Sequence, residues 1–172
     1  MEKSKIVFET ERLIIREVTT SDWTFLLSCY NDDEVMKYIP NSVGEWDFSR
    51  LQQKYKKINA DESSRYGLWV VELKKGRTLI GEVGLFNSFN DTSKLELGYI
   101  LDQKQWRKGY GKELVNGLIE YSKSSGDIKH LVARMFKSNV ASAMLSESCG
   151  MVKTDEGVAD NGIEYCQYEL SL

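Results

Sequence analysis

The spacing of apolar positions along this 172-residue chain changes several times, and each change predicts an element. Leu13-Ile14-Ile15-Arg16-Glu17-Val18 is dense in β-branched residues and predicts a first strand. Thr20-Ser21-Asp22 offer N-cap side chains, and Trp23, Leu26, Leu27 and Tyr30 follow at helical spacing. From Glu45 to Ile58, the residues Phe48, Leu51, Tyr55 and Ile58 fall on one side of a second helix. Tyr66–Leu73 and Leu79–Asn87 read as strands around the turn Lys75-Gly76-Arg77. Leu95–Leu101 is a further strand after the turn chemistry of Ser88-Phe89-Asn90-Asp91-Thr92-Ser93, whose short polar side chains can bond their own backbone. Leu114, Val115, Leu118 and Ile119 make the apolar stripe of a helix over Gly111–Lys123. A strand over Lys129–Phe136, a helix over Asn139–Ser148 with Asn139 as N-cap, and a strand over Tyr165–Leu170 complete the series.

Three consecutive strands predict antiparallel hairpins, and the later alternation of helix and strand predicts a parallel crossover. The fold class is therefore α/β in the α+β sense, a mixed sheet with helices packed on it. The sequence has no repeat, no low-complexity tract and one proline, Pro40, so residues 1–172 read as one domain.

Composition narrows the function classes. Hydrophobic residues make up 41% of the chain, so it can bury a core, and no run approaches the ~18 apolar residues of a membrane span. The N-terminal Met1-Glu2-Lys3-Ser4-Lys5 leads into a strand-like segment and has no secretion-signal pattern. A net charge of −3 and a pI of about 5.4 argue against a general nucleic-acid binder. Cys29, Cys149 and Cys166 are far apart, and His130 is the only histidine, so no metal cluster is predicted. Free thiols in a reducing cytoplasm are the plain reading.

The chemistry concentrates after the strand Leu95–Leu101. There Trp106-Arg107-Lys108-Gly109-Tyr110-Gly111-Lys112 opens a helix. Glycines let backbone N–H groups approach a ligand, and a helix N-terminus adds partial positive charge, so the segment suits a phosphate. The P-loop pattern fails, because Trp106 stands at its first glycine and Glu113 at its Ser/Thr. The dinucleotide pattern fails at Leu114, its third glycine. A plain helix start without ligand remains open from the residues alone.

Six segments in order resemble the GNAT acetyltransferases, in the branch of ribosomal-protein N-terminal and spermidine acetyltransferases. They are Thr10–Arg16, Asn31–Ile39, Ile80–Leu85, Leu95–Leu101, Trp106–Gly111, and Asn139-Val140-Ala141-Ser142 with Gly150-Met151. The chain departs from the pattern at Met151, where the branch has Phe, and at Ser146, where many members have Tyr.

The resemblance implies a mostly antiparallel sheet splayed between the fourth and fifth predicted strands, with helices on both faces. It implies acetyl-CoA as co-substrate and no metal. The backbone of Tyr99, Ile100 and Leu101 would pair with pantetheine. The turn Arg107, Lys108, Gly109, Tyr110, Gly111 and Lys112 would hold the pyrophosphate, and Asn139 would both cap its helix and contact the pantetheine arm.

Amine attack needs a proton acceptor, for which Glu96 stands first and Glu82 second. A backbone N–H of Tyr99 or Ile100 would face the developing oxyanion. Ser142 is the candidate acid for the leaving thiolate, with a helix-cap role as its plain alternative. Tyr38 and Trp46, together with Glu82, are the candidates for the acceptor pocket. The expected partner is a small-molecule or peptide amine, on a cytoplasmic monomer or homodimer away from nucleic acid and membrane. Two other classes stay open at this point: an acyl-CoA-binding module of the same fold without turnover, and a nucleotide-binding domain of another fold.

Overall fold

In the computed structural model, which describes residues 4–40, 44–61, 65–89, 91 and 93–172, the strands form one eight-stranded sheet in the order β1-β2-β3-β4-β5-β6-β8-β7. The strands are β1 (Ile6–Glu9), β2 (Leu13–Arg16), β3 (Gly67–Leu73), β4 (Leu79–Phe86), β5 (Lys94–Leu101), β6 (His130–Phe136), β7 (Val152–Val158) and β8 (Glu164–Ser171). The helices are α1 (Trp23–Tyr30), α2 (Asp33–Met36), α3 (Phe48–Ile58), α4 (Tyr110–Ser125) and α5 (Val140–Ser148). Asn90 and Thr92 of the expected turn before β5, and Met1, Glu2 and Lys3, lie outside the described residues.

Neighbouring strands are antiparallel except β5 and β6, which run parallel through the α4 crossover, as the element order predicts. Strand alternation splits the interior in two. On one face Leu13, Ile15, Trp69, Val71, Val83 and Leu97 pack under Leu114, Leu118 and Ile119 of α4. On the other, Leu68, Val70 and Ile100 pack against Leu26 and Tyr30 of α1 and Leu51 and Tyr55 of α3. Helices therefore cover both faces, and each is held by one apolar stripe.

Two strands and one short helix were not read from the apolar pattern. β1 and β7 are edge strands with exposed or half-exposed side chains, and β7 reads Val-Lys-Thr-Asp-Glu-Gly-Val. Charged edges blunt strand pairing with other chains, and they also remove the alternation that marks a strand. Asp32, not a residue of the first helix, caps α2 by accepting from the N–H groups of Glu34 and Val35. The expected N-cap at Thr20–Asp22 is a short 3-10 turn, where the Asp22 carboxylate accepts from the Thr19 N–H at 2.7 Å.

Candidate functional site

Past Leu101 the chain must leave the sheet, turn, and enter α4. The Asp102 N–H donates to the Ile80 carbonyl at 2.8 Å, and the Asp102 carboxylate accepts from the Lys104 N–H to start a 3-10 turn over Gln103–Gln105. The Trp106 indole N–H then donates to the Leu101 carbonyl at 2.8 Å and ties the loop back to the strand end. Arg107 (φ 61°) and Gly109 (φ 82°) both adopt left-handed backbone. Glycine takes this conformation freely, whereas arginine does so at a cost of about 1–2 kcal/mol. The result is a concave run of N–H groups over residues 107–112, which donate to no acceptor in the chain among the described residues. A Cβ on Gly111 would come within 2.8 Å of Leu145 Cδ1, so glycine there lets the start of α4 sit close against α5.

Beside this turn the sheet opens. β5 and β6 pair only over Lys94–Leu97 and His130–Ala133, while β6 stays paired with β8 to its end. From Gly98 to Leu101, β5 has only β4 as a strand neighbour. The splay lies between the two strands for which the resemblance implied it. A cavity of about 670 Å³ runs through the opening. On the α4–α5 side it is bordered by Trp106, Arg107, Gly109, Gly111 and Lys112, and by Asn139, Ser142 and Leu145. On the α1–α3 side it is bordered by Tyr38, Lys54, Glu82, Phe86, Glu96 and Arg134. The edges of Tyr99, Ile100 and Leu101 lie between.

Three expected residues stand back from the cavity. The Lys108 ammonium donates to Gln105 Oε1 at 3.1 Å, and the Tyr110 ring lies 4.5 Å beneath the Arg12 guanidinium. Trp46 packs edge-on against Tyr30 at 4.6 Å under Arg50, and its backbone makes two 2.9 Å bonds to the Asn31 side chain. It braces Tyr30, which itself faces Glu82.

The two candidate carboxylates differ sharply. Glu82 is 3% exposed and accepts from the hydroxyls of Tyr30 and of Tyr55, the latter at 2.7 Å. Lys54 donates to the Tyr30 hydroxyl and lies 3.4 Å from Glu82. Burial, reinforced by the Glu82 charge, pushes both tyrosine hydroxyls well above their ordinary range, so both stay protonated donors. Glu96 is half-buried, and among the described residues it has no hydrogen-bond or ion-pair partner in the chain. Between the two, the Phe86 ring lies across Gly84 and Gly98; a Cβ on either glycine would come within 2.5 Å and 3.1 Å of it.

At the head of α5, Asn139 Oδ1 accepts from the Ser142 N–H at 3.2 Å, the expected cap. The Ser142 hydroxyl is not used in the cap and lies 3.2 Å from the Tyr99 hydroxyl. Burial raises the Tyr99 phenol above its ordinary range, against the opposing bond from Ser142. Sequence reasoning singled out Tyr99 for its backbone alone. The period-2 alternation of β5, which puts Tyr99 on the opposite face from Glu96, was the available signal that its phenol faces α5.

Comparison with known proteins agrees with this geometry. A family model described as an acetyltransferase (GNAT) domain matches residues 12–152. The uncharacterized N-acetyltransferase YoaA of Bacillus subtilis (strain 168) is 28% identical over 156 residues, covering 88% of this chain and 85% of its own. A spermidine N-acetyltransferase from Vibrio cholerae, solved with CoA and spermine, shares the fold at a TM-score of 0.79 and 21% identity, over 92% of this chain and 95% of that one. The RimL ribosomal alpha-N-protein acetyltransferase, solved with coenzyme A, shares it at a TM-score of 0.81 and 13% identity, over 98% of each chain. With the splayed sheet, the glycine turn and a family match over most of its length, this chain is an acetyltransferase that belongs to the GNAT family.

Proposed function

We propose that this enzyme transfers an acetyl group from acetyl-CoA to a primary amine of a protein N-terminus or a small molecule, by direct attack in a ternary complex. The observation that carries the reading is the cavity that passes through the sheet, with an anion-accepting turn on one face and carboxylates on the other. Such a passage lets two substrates meet end to end from opposite sides.

The residues fit the donor. The N–H groups over 107–112 are free to bind a pyrophosphate, with Arg107 and Lys112 at the cavity wall. The open edge of Tyr99, Ile100 and Leu101 can pair with the amide-bearing pantetheine arm as a missing strand would, near the Asn139 side chain. Acetyl-CoA supplies the activated thioester.

On the acceptor side an ammonium has no lone pair, so it must lose a proton before it attacks. Glu96 is the group for this, directly or through a water, because among the described residues its carboxylate has no partner. Glu82 is saturated by Tyr30, Tyr55 and Lys54, so its part is to hold that wall in shape. The Ser142 hydroxyl, backed by the protonated Tyr99 phenol, delivers a proton to the departing sulfur. The backbone N–H of Tyr99 or Ile100, whichever is turned to the gap edge, serves the carbonyl oxygen as charge builds there.

The test is an acetylation assay with acetyl-CoA against polyamines, aminoglycosides, amino acids and peptides with free N-termini, read by mass spectrometry. At least one amine is expected to gain one acetyl group with stoichiometric release of CoA thiol. Tight CoA binding without turnover on any amine would remove the catalytic reading of this site.

A further inference from the structure

We propose that Arg12 is a positioning residue of the donor site: it clamps the Arg107–Lys112 turn and cancels the charge of Glu113 beneath it, so that the turn can accept a pyrophosphate. The inference rests on the reading of that turn as the pyrophosphate site.

Glu113 raises the problem that Arg12 solves. Its N–H donates to the Gly109 carbonyl at 3.1 Å, which puts the residue one turn inside α4. A carboxylate near a helix N-terminus is stabilised by the partial positive charge there, the same charge that a bound phosphate would use. It also repels an anionic ligand directly. The chain keeps this carboxylate ionised. Burial would push the Glu113 carboxyl up, but hydrogen bonds from Thr10 and Arg12 outweigh it and hold the group below the usual carboxylate range.

The masking is specific in geometry. Glu113 Oε1 accepts from the Arg12 N–H at 2.7 Å and from the Thr10 hydroxyl at 2.5 Å, and Oε2 accepts from Arg12 Nε at 2.6 Å. The same guanidinium donates through Nη1 to the Lys108 carbonyl at 3.1 Å and lies 4.5 Å over the Tyr110 ring. Its Nη2 lies 3.3 Å from where a Gly109 Cβ would stand. One side chain therefore touches the turn at Lys108, Gly109 and Tyr110 and neutralises the acid behind it. The base of the clamp is fixed in turn. Thr10 and Leu13 exchange two bonds across the β1–β2 turn, at 3.0 and 3.1 Å. An ordinary ion pair with a side chain 44% exposed would contribute little, so the weight lies on the fork geometry and on the ligand it prepares for.

The experiment measures CoA affinity by calorimetry for the wild type, R12Q, E113Q and R12Q/E113Q at low and high salt, with thermal unfolding of each. R12Q is expected to weaken CoA binding roughly tenfold at low salt, and less at high salt where the exposed charge is screened. Adding E113Q to R12Q is expected to restore affinity several-fold, because the unmasked charge is gone although the clamp is not rebuilt. A purely structural role predicts the opposite, a double variant no tighter than R12Q and a defect indifferent to salt. R12K covers the case in which R12Q fails to fold: it keeps the charge that masks Glu113 and should bind CoA within about threefold of wild type at low salt, whereas a loss of roughly tenfold in a folded R12K would mean that the masking charge is not what matters and overturns the proposal. Wild-type affinity in R12Q, or no recovery in the double variant, overturns the proposal. A wild-type chain that binds no CoA overturns the pyrophosphate reading itself, and this inference with it.

Discussion

Glu96→Gln keeps the shape of the side chain and removes its proton affinity. If Glu96 takes the proton from the amine, kcat should fall by roughly 10²-fold, with CoA affinity within a factor of about two of wild type. A Gln variant with wild-type turnover would falsify the base assignment. Ser142→Ala should lower kcat while leaving α5 capped, because the cap uses the Ser142 N–H and the Asn139 side chain. Tyr99→Phe should produce a smaller loss of the same kind, visible as kcat rather than KM. Equal activity in both variants would place the thiolate's proton source elsewhere. Glu96, Asn139 and the glycine turn were legible in the sequence because strand parity and a helix start fix where such residues go. The Tyr99–Ser142 pair and the lock on Glu82 were not, because they join residues 43 and 52 positions apart. No local pattern records such a contact.

Among elements, the start of α4 offers a clean separation of stability from binding. A Gly111→Ala methyl would reach Leu145 Cδ1 at 2.8 Å, and that atom is the far end of a flexible side chain that borders the cavity. Alanine is also the better helix former, by up to about 1 kcal/mol. The variant should therefore unfold at a temperature equal to or above wild type, yet bind CoA several-fold more weakly as Leu145 turns into the passage. Loss of stability together with binding would instead mean that α5 as a whole moves. The helices α3 and α4 were readable because each buries one regular face, and β3 to β5 because they are apolar, β-branched runs bounded by turn residues. α2 is four residues long and held by a side-chain cap, too short for any period to show. β7, paired on one side with a bulge at Thr154 and carrying Lys153, Asp155 and Glu156 in its middle, was invisible for the reason that protects it as an edge.

At the scale of the whole molecule, the α1–α3 face is anchored by charge inside the fold. The Arg16 guanidinium donates to Asp22 at 2.7 and 2.9 Å and to Glu72 at 2.7 Å, with Arg77 on the far side of Glu72. All three of Arg16, Asp22 and Glu72 are buried. Removing one partner strands the others, so Asp22→Ala should cost about 3–5 kcal/mol in denaturant unfolding.

The same group predicts an acid limb. Burial would raise the Asp22 carboxyl, but bonds from Arg16 and Thr19 overcome this and depress it below the usual range. Its contribution is therefore complete above the unfolded carboxylate range and disappears as pH falls through the depressed value. Tyr30 and Tyr55, raised by burial and by Glu82, act in the other direction. Their contribution is complete below the ordinary tyrosine range and is lost as pH climbs beyond it. Unfolding midpoints followed across pH should form a plateau falling at both ends, and D22A should flatten the acid side. The hairpin pairing of the consecutive central strands and the parallel crossover were open to sequence reading, whereas this charge network was not. Its members sit on β2, the following turn and β3, and only the closed sheet makes them neighbours.

The break between β5 and β6 also sets a boundary in time. Over Lys94–Leu97 the backbone amides of β5 are tied on both sides, whereas from Gly98 to Leu101 those that face the break have no strand to hold them. Deuterium should enter the gap-facing amides of the second half within the same strand far sooner than the first. Adding CoA should slow exchange there and leave Leu95 to Leu97 unchanged. A strand that exchanges in two halves would record, without any enzymatic assay, how much of it the protein completes by itself and how much it leaves for its substrate.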